Sequence, residues 1–320
     1  MSDKLRIERT LALMLVLTIV FAVFTGCRGN STTVSNTAVR PTRVVTDDLG
    51  RAVTIPVKVT RVVSLAPNLT ENIFAVGAGD RLVGVTTFCN YPEQAKEIAK
   101  IGDTMTPNME SIIAHKPDVV FVSTASQIEA FMKTLEANGI AVYVMNPTTL
   151  EGVIQNLKQL GELFGTEETS DRLLKGLSER ENRICRPFVT CSDVDLGGPL
   201  IKMIPVFVQI AKEPLFTVGH DSFINDLISE AGGRSVTGDV ASAYPKLSKE
   251  TASALNPEAI ILSDSEDNKE PNEVFKNSPA VKNGRVYKIN ADILSRPGPR
   301  LVDALEQIAK DLHPEKFGKN

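Results

Sequence analysis

The sequence predicts an α/β fold built as two successive runs of mostly parallel sheet, and three observations carry that prediction. From residue 61 onward, short Val- and Ile-rich stretches recur, each parted from the next by a segment with helical spacing. Strands that read as unbroken apolar runs are covered on both faces, the habit of parallel sheets. Between the two runs, residues 150–183 hold a helical pattern much longer than any other, as a connector between lobes would. An apolar fraction of 42% over 320 residues supplies sizeable cores, for one large domain or two lobes.

Ahead of the folded body, residues 11–24 (LALMLVLTIVFAVF) form an apolar run that is short for a bilayer crossing, which needs roughly 20 such residues. Lys4, Arg6 and Arg9 precede it and the small pair Thr25-Gly26 follows, the layout of a signal peptide over 1–26. Phe24-Thr25-Gly26-Cys27 resembles the bacterial lipobox, although Leu is preferred where Phe24 stands. That resemblance implies acylation of Cys27 and cleavage before it; an uncleaved anchor helix is the alternative. On either reading the remaining chain lies outside the cytoplasm, held to a membrane. Residues 27–43 are rich in Ser, Thr and Asn and carry almost no large apolar residue, so they predict a flexible tether. A coil of about 15 residues spans roughly 20 Å.

Residues 43–55 alternate around Asp48-Leu49-Gly50 and predict an opening β-hairpin. Strands follow at 61–65, 81–86, 118–123 and 140–145, with helices at 68–76, 107–115 and 128–137. Gly77 and Asn138-Gly139 close two of these helices; Pro107 takes a first-turn position in the other and Lys116-Pro117 stops it. In the connector, Val153, Leu157, Leu160, Leu163 and Phe164 recur at helical spacing, and after Gly165-Thr166 the pattern resumes through Leu173, Leu174 and Leu177. The second run places strands at 206–210, 259–262 and 285–289 and helices at 222–230, 248–255 and 300–312. The division is therefore a lobe at 44–149, the connector, and a lobe at 184–320, with no exact sequence repeat between them.

Composition excludes several classes. Net charge is −4 and the basic residues are scattered, so no nucleic-acid surface is predicted. An exported α/β hydrolase, the remote alternative, needs a nucleophile beside a base. The chain has His115, His220 and His313, no Gly-x-Ser-x-Gly elbow and no glycine-rich phosphate cradle. With Cys27 lipidated, Cys185 and Cys191 are candidates for a small disulfide loop, which leaves Cys89 over. A metal site fits poorly, because no His lies near that pair and the spacing matches no common zinc pattern.

Residues 61–86 (RVVSLAPNLTENIFAVGAGDRLVGVT) resemble the opening of the iron-chelate and cobalamin class of ABC-transporter substrate-binding proteins. The likeness continues in order through Asn90-Tyr91-Pro92, Met109-Glu110-Ser111-Ile112, Lys116-Pro117-Asp118, residues 222–228 (SFINDLI), Ala231-Gly232-Gly233, Tyr244-Pro245, Ser248-Lys249-Glu250 and residues 295–300 (SRPGPR). It covers nearly all of 61–314 and departs at 184–204, where both candidate disulfide cysteines lie. The resemblance implies the class III substrate-binding fold: two Rossmann-like lobes with mostly parallel sheets, joined by a single long connector helix. It also implies a cobalamin or iron-chelate (siderophore or haem) cargo in the inter-lobe cleft and no resident cofactor. A permease and ATPase complex is the implied partner of a monomeric binding protein. The neighbourhoods of Tyr244-Pro245 and 295–300 are most similar to cobalamin members. The same fold acting as a ligand-sensing or surface-retention module, without a permease, is the alternative.

Physical reasoning places a site in the same cleft, because ligands of open α/β sheets sit at the carboxyl ends of strands. The first-lobe candidates are Pro67-Asn68, Thr87-Phe88 with Tyr91, Thr104-Met105 and Ser123-Thr124; those of the second are Phe216, His220, Tyr244 and Arg296. Rings offer area to a macrocycle, while Arg and hydroxyl groups satisfy carboxylates and amides. Each has a plainer reading: Phe88 and Phe216 as core, His220 as a solvated loop residue, Arg296 as a brace for the Pro297-Gly298-Pro299 turn. Carried over from the family, Glu110 and Asp226 would meet arginines of the permease. An acid in a first helical turn is favoured anyway by the helix dipole.

Overall fold

The alternation in the opening segment folds as expected. The computed structural model describes residues 40–123, 129–188 and 202–318. The signal peptide, Cys27, most of the tether and Cys191 lie outside the described residues. Strand β1 (Thr42–Thr46) pairs antiparallel with β2 (Ala52–Pro56). The tether expected to reach residue 43 therefore ends two residues earlier, and the Arg43 guanidinium donates to the carbonyls of Glu162 and Leu163 at 3.2 and 2.8 Å. In the turn, the buried Asp47 carboxylate accepts from the backbone N–H of Leu49 and Arg51 and pairs with the Arg51 guanidinium at 2.7 Å. Asp48 docks the turn on the first lobe, accepting from Asn146 N at 2.6 Å and from the Asn156 amide at 2.9 Å.

The first lobe carries β3 (Val62–Ser64), α1 (Pro67–Ala75), β4 (Leu82–Val85), α2 (Met109–Ala114), β5 (Val119–Val122), α3 (Glu129–Ala137) and β6 (Ala141–Val144). Its four strands are parallel in the order β4-β3-β5-β6. Helix α2 starts two residues later than Pro107 suggests, because Asn108 is the cap and its side chain accepts from Ser111 N at 2.9 Å.

The connector is a correction to the expectation. Residues 150–183, read as one long helix, form two: α4 (Leu150–Phe164) and α5 (Glu167–Cys185). Gly165 adopts a left-handed conformation, φ +66°, that ends α4, and Thr166 turns the chain into α5. Apolar residues keep helical spacing on both sides of the break, which is why the pattern reads as continuous.

The second lobe follows with β7 (Ile204–Gln209), α6 (Phe223–Glu230), β8 (Gly233–Ser235), α7 (Lys249–Ala254), β9 (Ala259–Asp264), α8 (Pro279–Lys282), β10 (Val286–Asn290), α9 (Ala291–Leu294), α10 (Leu301–Leu312) and α11 (Pro314–Phe317). The short strand β8 escapes sequence reading. Strand order is β10-β9-β7-β8, all parallel. Numbered within its own lobe, each sheet has the order 2-1-3-4, so the halves share a topology that their sequences do not display.

Alternate residues explain the unbroken apolar strands. Val62, Phe121, Val206 and Ile261 enter one continuous cluster that runs through α1, α4, α5 and α10 and joins the lobes. Their neighbours Val63, Val120 and Val122 face a second cluster with Leu135 and Ile112, and Phe207, Ile260 and Leu262 face a third with Phe275 and Ala252. Each sheet is thus buried on both faces.

Where α5 meets α6, three acidic groups and a thiol crowd together. Burial, then Glu181 and Asp226, push the Glu230 carboxyl from its ordinary 4.5 up to about 7. Burial and the neighbouring Glu230 and Glu181 push the Cys185 thiol up to about 12, so it stays protonated; its pairing with Cys191 falls outside the described residues. The native state holds a proton on Glu230 that the unfolded chain releases at the ordinary value. Stability from this group is therefore intact below about pH 4.5 and is lost as pH rises towards 7. Glu230→Gln is expected to raise the melting temperature at pH 8 by a few degrees and to flatten its fall between pH 5 and 8. Asp311, pushed to about 6 by burial, leaves a smaller residual slope. An unchanged slope in calorimetric melts across that range would refute the assignment.

Candidate ligand-binding cleft

A cleft of about 490 Å³ lies between the lobes, lined by the segments that follow the carboxyl ends of the strands. In the first lobe the lining comes from Asn68 after β3, Ser123 after β5, and Asn146, Pro147 and Thr148 between β6 and α4. Strands β3 and β5 are where the order of that sheet reverses, the point at which α/β sheets open a crevice. In the second lobe Asp221, Ser222 and Phe223 reach the cleft from the β7–α6 connection, with Ala243 and Tyr244 from the segment after β8. Ser295 and Pro297, after α9, complete it. Ser222 caps α6 by accepting from Ile224 N. Burial raises the Tyr244 hydroxyl above its ordinary value, and a hydrogen bond with Ser222 opposes the rise.

Of the residues singled out from sequence, Ser123, Tyr244 and Asn68 line this cleft, Thr124 lies outside the described residues, and the others stand outside its lining. Phe88, Tyr91 and Met105 are not core but solvent-facing, with 58%, 47% and 49% of their surface exposed. Thr104 sits in a turn that the Asp103 carboxylate organises through Met105 N and Thr106 N. Phe216 is half-buried and bridges the backbones of Ala211 and Lys246. His220 is exposed, its Nδ1 3.0 Å from Asp221 Oδ1, so it touches the cleft only through that carboxylate. The hydrogen bond that His220 donates to the Asp221 carboxylate raises the His220 pKa.

Arg296 stands outside the cleft lining and is engaged within the protein: its guanidinium lies 2.7 Å from Glu71 Oε1, 2.6 Å from Asp292 Oδ1 and 2.8 Å from Asn90 Oδ1. Arg300 joins the same carboxylate at 2.7 and 2.8 Å, and its guanidinium stacks 4.2 Å from the centre of the Tyr91 ring. Glu71 belongs to α1 and is almost wholly buried, so one first-lobe carboxylate gathers two second-lobe guanidiniums. Beside it, the Asn72 amide donates to Pro297 O at 3.1 Å. A Cβ on Gly298 would stand 2.6 Å from Asn72 Oδ1, so glycine permits this approach. Asn68, Glu71 and Asn72 share one face of α1 by their spacing. That face thus contributes both to the cleft lining and to the seam that binds the lobes together. Sequence reasoning missed Glu71; the available signal was a carboxylate in an apolar helix, three residues after Asn68.

The two candidate docking acids occupy the first turns of α2 and α6. Glu110 is exposed. Asp226 is half-buried and its Oδ2 accepts from Leu150 N at 3.1 Å, tying α6 to the start of α4.

Two parallel-sheet lobes that share a cleft at their switch points define a protein that captures a small molecule. Residues 62–293 match the model of the periplasmic binding protein family, and the chain belongs to that family. The ABC transporter substrate-binding lipoprotein YvrC of Bacillus subtilis (strain 168) is 31% identical over 279 residues, covering 85% of this chain and 86% of the relative. A vitamin B12-binding protein of Photorhabdus laumondii is 27% identical over 253 residues, covering 79% of this chain and 88% of its own. Among solved structures, the periplasmic vitamin B12-binding protein BtuF of Vibrio cholerae superposes with a TM-score of 0.67 at 26% identity, covering 81% of this chain and 99% of that one. A periplasmic haem-binding protein of Pseudomonas aeruginosa shares the fold, with a TM-score of 0.67 at 23% identity over 80% of this chain and 93% of its own. These are binding proteins, and the family to which the chain belongs is one of binding proteins rather than enzymes.

Proposed function

We propose that this protein is a membrane-tethered lipoprotein, anchored through Cys27, that captures cobalamin or a ferric chelate and hands it to an ABC importer. The observation that carries the reading is the cleft of about 490 Å³ built by both lobes at their switch points, within the roughly 300–1,000 Å³ usual for small-molecule sites. The relatives that bind vitamin B12 support the corrinoid side of the reading. It acts as a monomer with no resident cofactor, by reversible binding without bond making.

Thermal-shift screening of the full chain in detergent against cyanocobalamin, cobinamide, haemin and ferric siderophores tests the cargo. A ligand at 100 times its dissociation constant adds about 2.7 kcal/mol of stability, so one chelate is expected to raise the melting temperature by several degrees. Silence across the panel in a folded sample overturns the reading. Delivery is tested separately by Glu110→Arg. This exposed substitution is expected to abolish import in cells and leave cargo affinity unchanged, because a charge at a docking rim steers encounter rather than holding the ligand. Full import by the variant would refute the docking role of Glu110, and import that survives loss of the whole protein would favour the sensing module.

A further inference from the structure

We infer that the cleft selects uncharged or cationic metal chelates, with a carboxamide or hydroxamate periphery, and rejects anionic ones such as porphyrin propionates or ferric catecholates. The inference rests on the proposed function and narrows its cargo.

The lining groups decide it. Their ionisable members are Asp221 and Tyr244. Tyr244 stays neutral, since burial moves its hydroxyl upward from an ordinary value near 10. Asn68 offers an amide, Ser222 and Ser295 hydroxyls, and Phe223 and Pro297 apolar surface. Amides and hydroxyls both donate and accept, the match for a neutral amide or hydroxamate edge. They do not supply the opposite charge that a buried carboxylate requires.

The cations of the segment that carries Ser295 and Pro297 are already committed. Arg296 and Arg300 converge on Glu71, and Arg296 holds Asp292 as well. Recruiting either to a ligand would strip a partner from a buried carboxylate, a cost that a single new ion pair does not recover. His220 is bound to Asp221, so when protonated it makes a pair that is neutral as a whole. Asp239 and Asp226 add negative potential around that pair. An anionic chelate entering this cleft therefore loses hydration, meets Asp221 and finds no cation among the described lining residues. Rejection of that kind is a repulsive element of specificity.

The test is isothermal titration of the full chain in detergent with charge-matched probes. One pair is cyanocobalamin and its monocarboxylate, in which a single propionamide is hydrolysed. The other is cationic ferrioxamine B and anionic ferric enterobactin. The neutral or cationic member of at least one pair is expected to bind about 30-fold or more tighter than its anionic counterpart. Asp221→Lys, checked for an unchanged melting temperature, is expected to narrow that gap about tenfold or more. Equal or tighter binding of the anionic members to the unmodified protein overturns the charge inference and leaves the chelate-binding reading standing. No binding of any of the four probes, or of haemin, by a folded sample overturns both.

Discussion

Glu71→Ala is expected to lower stability by about 3–5 kcal/mol, the usual cost of removing one partner from a buried charge network. Arg296 and Arg300 have only 13% and 19% of their side-chain surface exposed, and without Glu71 two guanidiniums are left facing each other. Asp292 still holds Arg296, and the Tyr91 ring still covers Arg300, which keeps the loss within that range. At roughly 2–4 °C per kcal/mol for a chain of this size, the melting temperature should fall by about 10 °C. Glu71→Gln keeps the shape but loses the charge, so its effect should be intermediate. A triple replacement of Glu71, Arg296 and Arg300 by Met or Leu should cost much less than Glu71→Ala alone, because it removes the charges along with their desolvation. A fall below about 2 °C for Glu71→Ala would show that the seam contributes little. The seam also bears on function. Asn68 lies one turn before Glu71 on α1, and Ser295 and Pro297 flank Arg296, so the two segments that carry the seam also contribute to the cleft lining. A protein whose lobes are already fixed to each other binds its cargo in a preformed cleft, without spending binding energy on closure.

What could be read from the sequence follows a physical division. The strands were legible because burial on both faces makes Val62-Val63 or Ile260-Ile261-Leu262 apolar at every position. Of the cleft members, Ser123 was legible because it follows a strand, where open α/β sheets present ligand groups, and Tyr244 because it stands in a Tyr-Pro loop that resembles the family. Three features were not. The break at Gly165 is a backbone event, and the apolar spacing continues past it, so α4 and α5 read as one helix. Asn146 and Thr148 lie where the first lobe hands over to the connector, so they read as linkage rather than lining. The fate of Arg296 depended on Glu71, more than two hundred residues away in sequence and adjacent only in the fold. Charged groups in a family motif such as 295–300 have several available partners, and which one they take is decided by tertiary contact.

Thr148→Trp and Ala243→Trp, one from each lobe, are each expected to weaken cargo binding by about 100-fold or more, since an indole would displace ligand from a cleft of this size. Thr148 is exposed and Ala243 half-exposed on the cleft surface, so neither substitution overpacks a core and the melting temperature should stay within about 2 °C. Val57→Trp, at an exposed position just beyond the opening hairpin, is the control and should leave affinity unchanged. The two plugs together discriminate between ways of holding a ligand. If both abolish binding, the cargo touches both lobes, and the Glu71 seam that fixes their relation must tune affinity as well as stability. If Thr148→Trp acts and Ala243→Trp is silent, the ligand rests on the first lobe alone. In that case Glu71→Ala should destabilise the protein without changing affinity, and the role assigned to Asp221 would fail with it, because Asp221 reaches the cargo only from the second lobe.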